Sequence, residues 1–156
     1  MGADWKDLGS EENYVGYERT QNFVSPGGAK LDKNHAYTAP ERLQRNEWAL
    51  SGEWTMQKAG IILNQSNGHI VYRFHARDLH LVMGPAKPGT SVRFRVLIDG
   101  QAPRSAHGTD VDGEGNGAVT EPRMYQLIRQ PMPIVDRQFE IEFLDSGAEV
   151  FSFTFG

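Results

Sequence analysis

The sequence has 156 residues and contains no cysteine. Disulfides, thiolate nucleophiles, iron–sulfur clusters and zinc–thiolate sites are therefore excluded. The missing thiol leaves the redox compartment open, because a chain of this length buries roughly 70% of its unfolded surface and needs no cross-link to be stable. Long apolar runs are also missing, and none approaches the 18 residues that would suggest a membrane span. The opening MGADWKDLGS lacks the apolar core of a signal peptide. That is expected of a cytosolic protein or of a piece of a longer exported chain. Concentrated positive charge is absent too. The 16 Lys and Arg residues are outnumbered by 20 Asp and Glu, for a net charge of -4, which argues against a general nucleic-acid binder. There is no G-x-S-x-G elbow, and GEGNG lacks the Lys and helix that would complete a phosphate loop.

Extended helical periodicity is the remaining absence. From Trp48 onward the sequence alternates with period two. HIVYRFHAR sets Ile70, Tyr72, Phe74 and Ala76 against Val71, Arg73, His75 and Arg77, and SVRFRVLIDG sets Val92, Phe94, Val96 and Ile98 against Arg93, Arg95 and Leu97. RQFEIEFLDSG and EVFSFTFG repeat the pattern, with Gly, Pro, Asn and Asp between the runs. About eight short strands joined by turns predict an all-β antiparallel sandwich or barrel. Phe74, Phe94, Phe139, Phe143, Phe151, Phe153 and Phe155 are the expected interior. The arginines on some strands and Glu140 and Glu142 on another are expected to pair across strands.

Residues 1–46 read as an irregular segment ahead of a sandwich over 47–156. Within it, SEENYVGYERTQNF is expected to form a short helix, with Ser10 as N-cap and Glu11 and Glu12 at the positive end, although Gly16 weakens it. PERLQRN predicts one helical turn with Pro40 at its first position.

Several stretches invite a chemical reading. In DVDGEGNGAVTE, Asp110, Asp112, Glu114 and Asn116 occupy positions 1, 3, 5 and 7 of a calcium loop, with Gly115 at 6 and Glu121 at 12. Glu121 precedes Pro122, which disfavours the exiting helix an EF-hand requires. The expected structure is a turn whose Asp and Asn side chains bond their own backbone, so no cofactor is expected. The alternative is a calcium loop of another geometry using Asp110, Asp112, Glu114 and Asn116. His75 and His80 would face opposite ways along one strand, so no catalytic metal site is expected. Two carboxylates could perform acid–base chemistry, but no spacing singles out a pair. The aromatic residues are richer than one core obviously needs. Trp48 and Trp54 flank Gly52, where a bend could turn a ring outward, while Tyr17 lies in the N-terminal segment. Arg73 points opposite to Tyr72, which shares parity with the core residue Phe74. Tyr17, Trp48, Trp54 and Arg73 are therefore the candidate carbohydrate-binding residues, with apolar rings for sugar faces and polar groups for hydroxyls.

ADWKDLGSEENYVGYERTQNF, LQRNEWALSGEWT, ARDLHLVMGP, HGTDVDGEGNGAVTEPRMYQLIRQ and FEIEFLDSGAEVFSFTFG together resemble the C-terminal domain of DipZ-type thioredoxin-family proteins over essentially the whole chain. That resemblance implies a jelly-roll of the galactose-binding, carbohydrate-binding-module type. It also implies a thioredoxin-like domain preceding it and, in many members, a membrane-embedded domain of the cytochrome c biogenesis type. ADWKDL would be the junction, Met1-Gly2 an added start, and the location extracytoplasmic, in the periplasm or cell envelope. The expected partners are the thioredoxin-like domain of the parent chain and glycan or cell-envelope material.

The expected function is a non-catalytic accessory module of a thiol–disulfide oxidoreductase. A structural module packed on the thioredoxin domain, with no glycan site, is the alternative. A glycan-active or metal-dependent jelly-roll enzyme is the third reading.

Overall fold

The computed structural model describes residues 2–156. Eleven strands carry the chain: β1 (Asn13–Tyr14), β2 (Asn34–Tyr37), β3 (Trp48–Met56), β4 (Ile61–Leu63), β5 (Gly68–Phe74), β6 (Asp78–Pro85), β7 (Val92–Ile98), β8 (Asn116–Val119), β9 (Arg123–Arg129), β10 (Arg137–Phe143) and β11 (Ala148–Phe155). All strand pairs are antiparallel, in the order β8-β7-β10-β5-β3-β4-β11-β6-β9, with β1 added on β11 and β2 on β3. Apart from β7 and β8, successive strands from β4 onward pass between the two halves of this order, and the sheet curls into the antiparallel sandwich expected from the alternation, of the jelly-roll type the resemblance implies.

β3 joins the halves. Its residues Trp48 to Ser51 pair with β5, and Trp54 to Met56 pair with β4. Gly52 sits at the crossing with φ +97°, and a Cβ there would lie 2.9 Å from Gly68 Cα. Only glycine tolerates both the positive φ and so close a neighbouring strand.

Alternate side chains from the two halves meet in one core. Tyr72 and Phe153 have ring centroids 4.5 Å apart, and Phe139 meets Phe153 edge-on at 6.0 Å. Phe74, Phe94, Phe139, Phe143 and Phe153 are buried as expected. Phe155 is only partly buried against the core, and Phe151 is not an interior residue. The register shifts between Val150 and Ser152. This β-bulge inserts one residue and reverses the alternation, so Val150 and Phe153 point inward while Phe151 is carried outward.

The N-terminal segment departs from the helical reading. Residues 10–23 form no helix. Asn13 and Tyr14 pair with Phe153 and Ser152, and the Tyr17 and Glu18 amides donate to the Gln57 and Lys58 carbonyls. Gly16 explains this choice: a Cβ on it would collide with the backbone of Lys58 to Gly60. Tertiary backbone pairing takes the donors a helix would have used. Ser10 caps nothing helical; its hydroxyl donates to Asn46 Oδ1 and accepts from the His75 amide. The Pro40 segment forms bends and a turn instead of a helical turn, because the Leu43 amide bonds Gln138 and the Gln44 amide bonds Glu47. The helical structure among the described residues is two 3₁₀ turns, Trp5–Asp7 and Arg104–Ala106. No helix among them is long and apolar enough to cross a membrane.

Candidate functional site

The outward face of β5, β10 and β7 carries the residues that alternation keeps out of the core. His69, Val71 and Arg73 stand opposite Glu142, Glu140 and Gln138 in register. The 39–43 segment lies over one side of this face, where Leu43 packs with Ala49 and Val71. Gln138 fastens it, accepting from the Leu43 amide and donating to the Glu41 carbonyl. Between segment and sheet run two adjacent open depressions of about 430 Å³ and about 340 Å³. Both are lined by Glu41, Gln138 and Glu140. Arg42, Arg73 and Asp99 continue the lining on one side and His69 and Ser51 on the other.

The groove is electrostatically mixed. His69 Nδ1 lies 2.6 Å from Glu140, and its Nε2 lies 3.5 Å from Glu142. The Glu140 hydrogen bond holds the imidazole above its ordinary pKa of 6.5; partial burial opposes this, and the two carboxylate charges reinforce it. Arg73 is 32% exposed, and its Nε reaches Asp136 only at 4.0 Å. Arg93 is committed elsewhere, to Asp145, whose carboxyl it lowers to about 2. The expected pairing of strand arginines with Glu140 and Glu142 is thus replaced by pairing of those glutamates with His69. Nothing in the alternation selected His69 as a functional residue; it shares parity with Arg73 on β5, the signal that would have found it.

Trp48 and Trp54 do not form the aromatic platform expected of them. Both are 0% exposed. Trp48 Nε1–H donates to Thr20 Oγ1 and the Gln21 carbonyl, while Trp54 Nε1–H donates to the Ser51 carbonyl. A buried ring with its polar edge satisfied is a core residue, and neither offers a face to a sugar. Tyr17 is tied to Asp32 by a 2.8 Å hydrogen bond that raises its phenol pKa. Of the four candidates, Arg73 alone lines the groove.

The acidic loop is a turn. Asp112 Oδ1 accepts from the Glu114 and Asn116 amides, at 3.0 and 2.9 Å. Asp110 pairs with Arg123 and accepts from the Gln126 amide, and Glu114 pairs with Arg104. Burial raises the Asp110 carboxyl, but Arg123 and the Gln126 amide outweigh it and the net shift is downward. The calcium alternative at Asp110, Asp112, Glu114 and Asn116 therefore meets carboxylates already engaged by arginines and amides. No group of three or more His, Asp or Glu among the described residues is arranged to hold a metal.

Ser10, His75 and Asp136 also come together without forming a nucleophilic relay. His75 Nδ1 is 2.7 Å from Asp136, which Arg45 holds as well. The Ser10 hydroxyl is bonded to the His75 backbone amide and to Asn46, not to the imidazole, so the ring is not placed to take its proton.

The profile of the thioredoxin-like C-terminal domain family matches residues 10–156. Protein DipZ of Mycobacterium bovis and protein DipZ of Mycobacterium tuberculosis are each 29% identical over 82 residues, 53% of this chain. The chain spans only 12% of the length of those relatives. Among solved structures, a family two carbohydrate esterase from Clostridium thermocellum in complex with cellohexaose aligns over 63% of this chain and 27% of its own, at 11% identity and a TM-score of 0.48.

Proposed function

Because the chain belongs to the thioredoxin-like C-terminal domain family, we propose that it is a non-catalytic accessory module of a thioredoxin-like thiol–disulfide oxidoreductase of the cell envelope. On this reading the residues ahead of β1 lead to a preceding thioredoxin-like domain, and the sheet, which takes in β1 and β2 from within 1–46, is the recognition sandwich. The groove on the outer face of β5 and β10 takes a hydroxyl-rich, saccharide-type ligand. The observation that carries this is the place of Arg73, in an open groove beside Arg42, Glu41 and Glu140. Sugar hydroxyls both donate and accept, and this lining offers guanidinium donors and carboxylate acceptors together. Thiol–disulfide exchange needs a thiolate, and these 156 residues contain no cysteine, so the redox chemistry resides in the rest of the parent chain.

A second reading, a module that mainly packs on its neighbouring domain, is favoured by the burial of Trp48 and Trp54. A glycan array probed with the isolated chain separates the two. Saccharide binding that is lost in Arg73→Ala supports the groove; a blank array, with the chain binding a thioredoxin-like domain supplied in trans, supports the packing module. In the same preparation, insulin disulfides stay unreduced above the buffer rate.

A further inference from the structure

A cleft of about 340 Å³ on the other half of the sandwich is lined by Tyr14, Arg19, Phe151, the Gly16 and Lys58–Ala59 turns and one carboxylate, Glu18. We propose that this cleft binds a carboxylate-bearing sugar ring, a uronic-acid unit. It is separate in place and in chemistry from the groove beside Arg73.

Three features build it. The β-bulge after Val150 turns Phe151 out of the core, leaving a phenyl ring partly open to solvent as one wall. Gly60 lies so close beneath that a Cβ there would stand 3.1 Å from the ring, which fixes the wall from behind. Gly16, buried with no room for a side chain against Lys58 to Gly60, brings the 16–19 turn alongside as the opposite wall. A partly open phenyl ring can meet the apolar C–H face of a pyranose, and the volume lies within the roughly 300–1,000 Å³ of small-ligand sites.

Charge selects the acidic sugar. The Arg19 guanidinium carbon sits 3.9 Å from the Tyr14 ring centroid. Stacking fixes the guanidinium while its N–H donors, which lie in its own plane, stay available. No carboxylate pairs with Arg19 among the described residues, whereas Lys58 lies 3.7 Å from Glu18. The cleft therefore holds two cations against one carboxylate, and the uncompensated one is the immobilised arginine. A planar carboxylate can accept two parallel hydrogen bonds from it.

The test compares methyl glucuronide with methyl glucoside, which share a ring and differ in the carboxylate, by NMR titration of the labelled chain. N-acetylphenylalanine serves as a probe carrying the same charge and an apolar group without a sugar. The glucuronide should shift the amides of Gly16, Arg19, Lys58 to Gly60 and Phe151, and bind about tenfold tighter than the glucoside, the worth of one charge-assisted contact. Arg19→Gln should bring the glucuronide down to the glucoside level. Phe151→Leu should weaken both sugars while spectra away from the cleft stay unchanged. Equal binding of the two sugars, shifts located elsewhere, no shifts at all, or N-acetylphenylalanine binding as tightly as the glucuronide each overturn the assignment.

Discussion

His69 Nδ1 and Glu140 Oε2 lie 2.6 Å apart, although Glu140 stands opposite Val71 in the β5–β10 register and the partner opposite His69 is Glu142. The contact is diagonal across two strands, and the imidazole lies between two carboxylates of one strand.

This arrangement predicts a pH dependence. The folded-state pKa of His69 is raised above 6.5, chiefly by the Glu140 hydrogen bond, so protonated His69 favours folding. Its contribution is fully present below about pH 6.5 and is lost as pH rises through the folded pKa. The melting-temperature difference between the parent protein and His69→Gln should be largest at about pH 6 and shrink toward about pH 9. A difference that grows with rising pH would show that His69 folds in its neutral form.

Trp48 is predicted to act through packing. Its side chain is fully buried, with the Phe23 ring centroid 4.7 Å away and Nε1–H donating to Thr20 Oγ1 and the Gln21 carbonyl. Trp48→Ala should cost about 3–5 kcal/mol in urea unfolding. Trp48→Phe should cost less, while stranding the polar partners of Nε1. Loss of under about 0.5 kcal/mol, typical of surface substitutions, would mean the ring is not in the core.

The acidic loop should ignore calcium. Asp112 is held ionised below its ordinary range, first by the Asn116 amide, and its oxygen serves the loop's own backbone. Asp112→Ala should lower the melting temperature by the same amount in calcium and in EDTA. A site occupied at 100 times its dissociation constant would add about 2.7 kcal/mol, so a calcium-dependent rise in the parent that disappears in the variant would be readily seen and would restore the metal reading.

Asp78 should govern acid stability. Its buried carboxylate receives Arg129 Nε at 2.7 Å and Arg77 Nη2 at 2.9 Å. Burial alone would raise its pKa, but the two guanidiniums outweigh burial and lower it below 3.8. The stabilisation is present above about pH 4 and is lost as pH falls through the folded pKa. Asp78→Ala should cost about 3 kcal/mol, the low end for breaking a buried pair, since Arg129 is 40% exposed on its side chain. An acid-unfolding midpoint identical in the parent and Asp78→Asn would count against this role.

The strands after Trp48 were legible because a half-buried strand must alternate, and the parity of Tyr72 against Arg73 placed both residues correctly. What failed needed partners distant in sequence. Residues 10–23 carry helix-compatible side chains, yet Gly16 is required for contact with the 58–60 turn, which only the folded chain reveals. The bulge at Val150 leaves no local mark, so Phe151 was counted with Phe153 and the cleft it opens went unseen. Trp48 and Trp54 were made candidates from aromatic richness and a bend expected at Gly52, whereas their rings are buried and their indole N–H groups find acceptors at Thr20, Gln21 and Ser51. Arg73 was found, but Glu41 and Arg42 come from the 39–43 segment and Glu140 from β10, which only the folded chain brings beside it.

β3 is one covalent strand shared by two hydrogen-bonded ladders. If the β5 side lets go, the strand that must move is the one clamped by β4 and β2 on the other side of Gly52. The edge strands of the two halves, β8 and β9, lie away from this seam. Local opening is therefore expected at the outer strands, with the residues on both sides of Gly52 opening together.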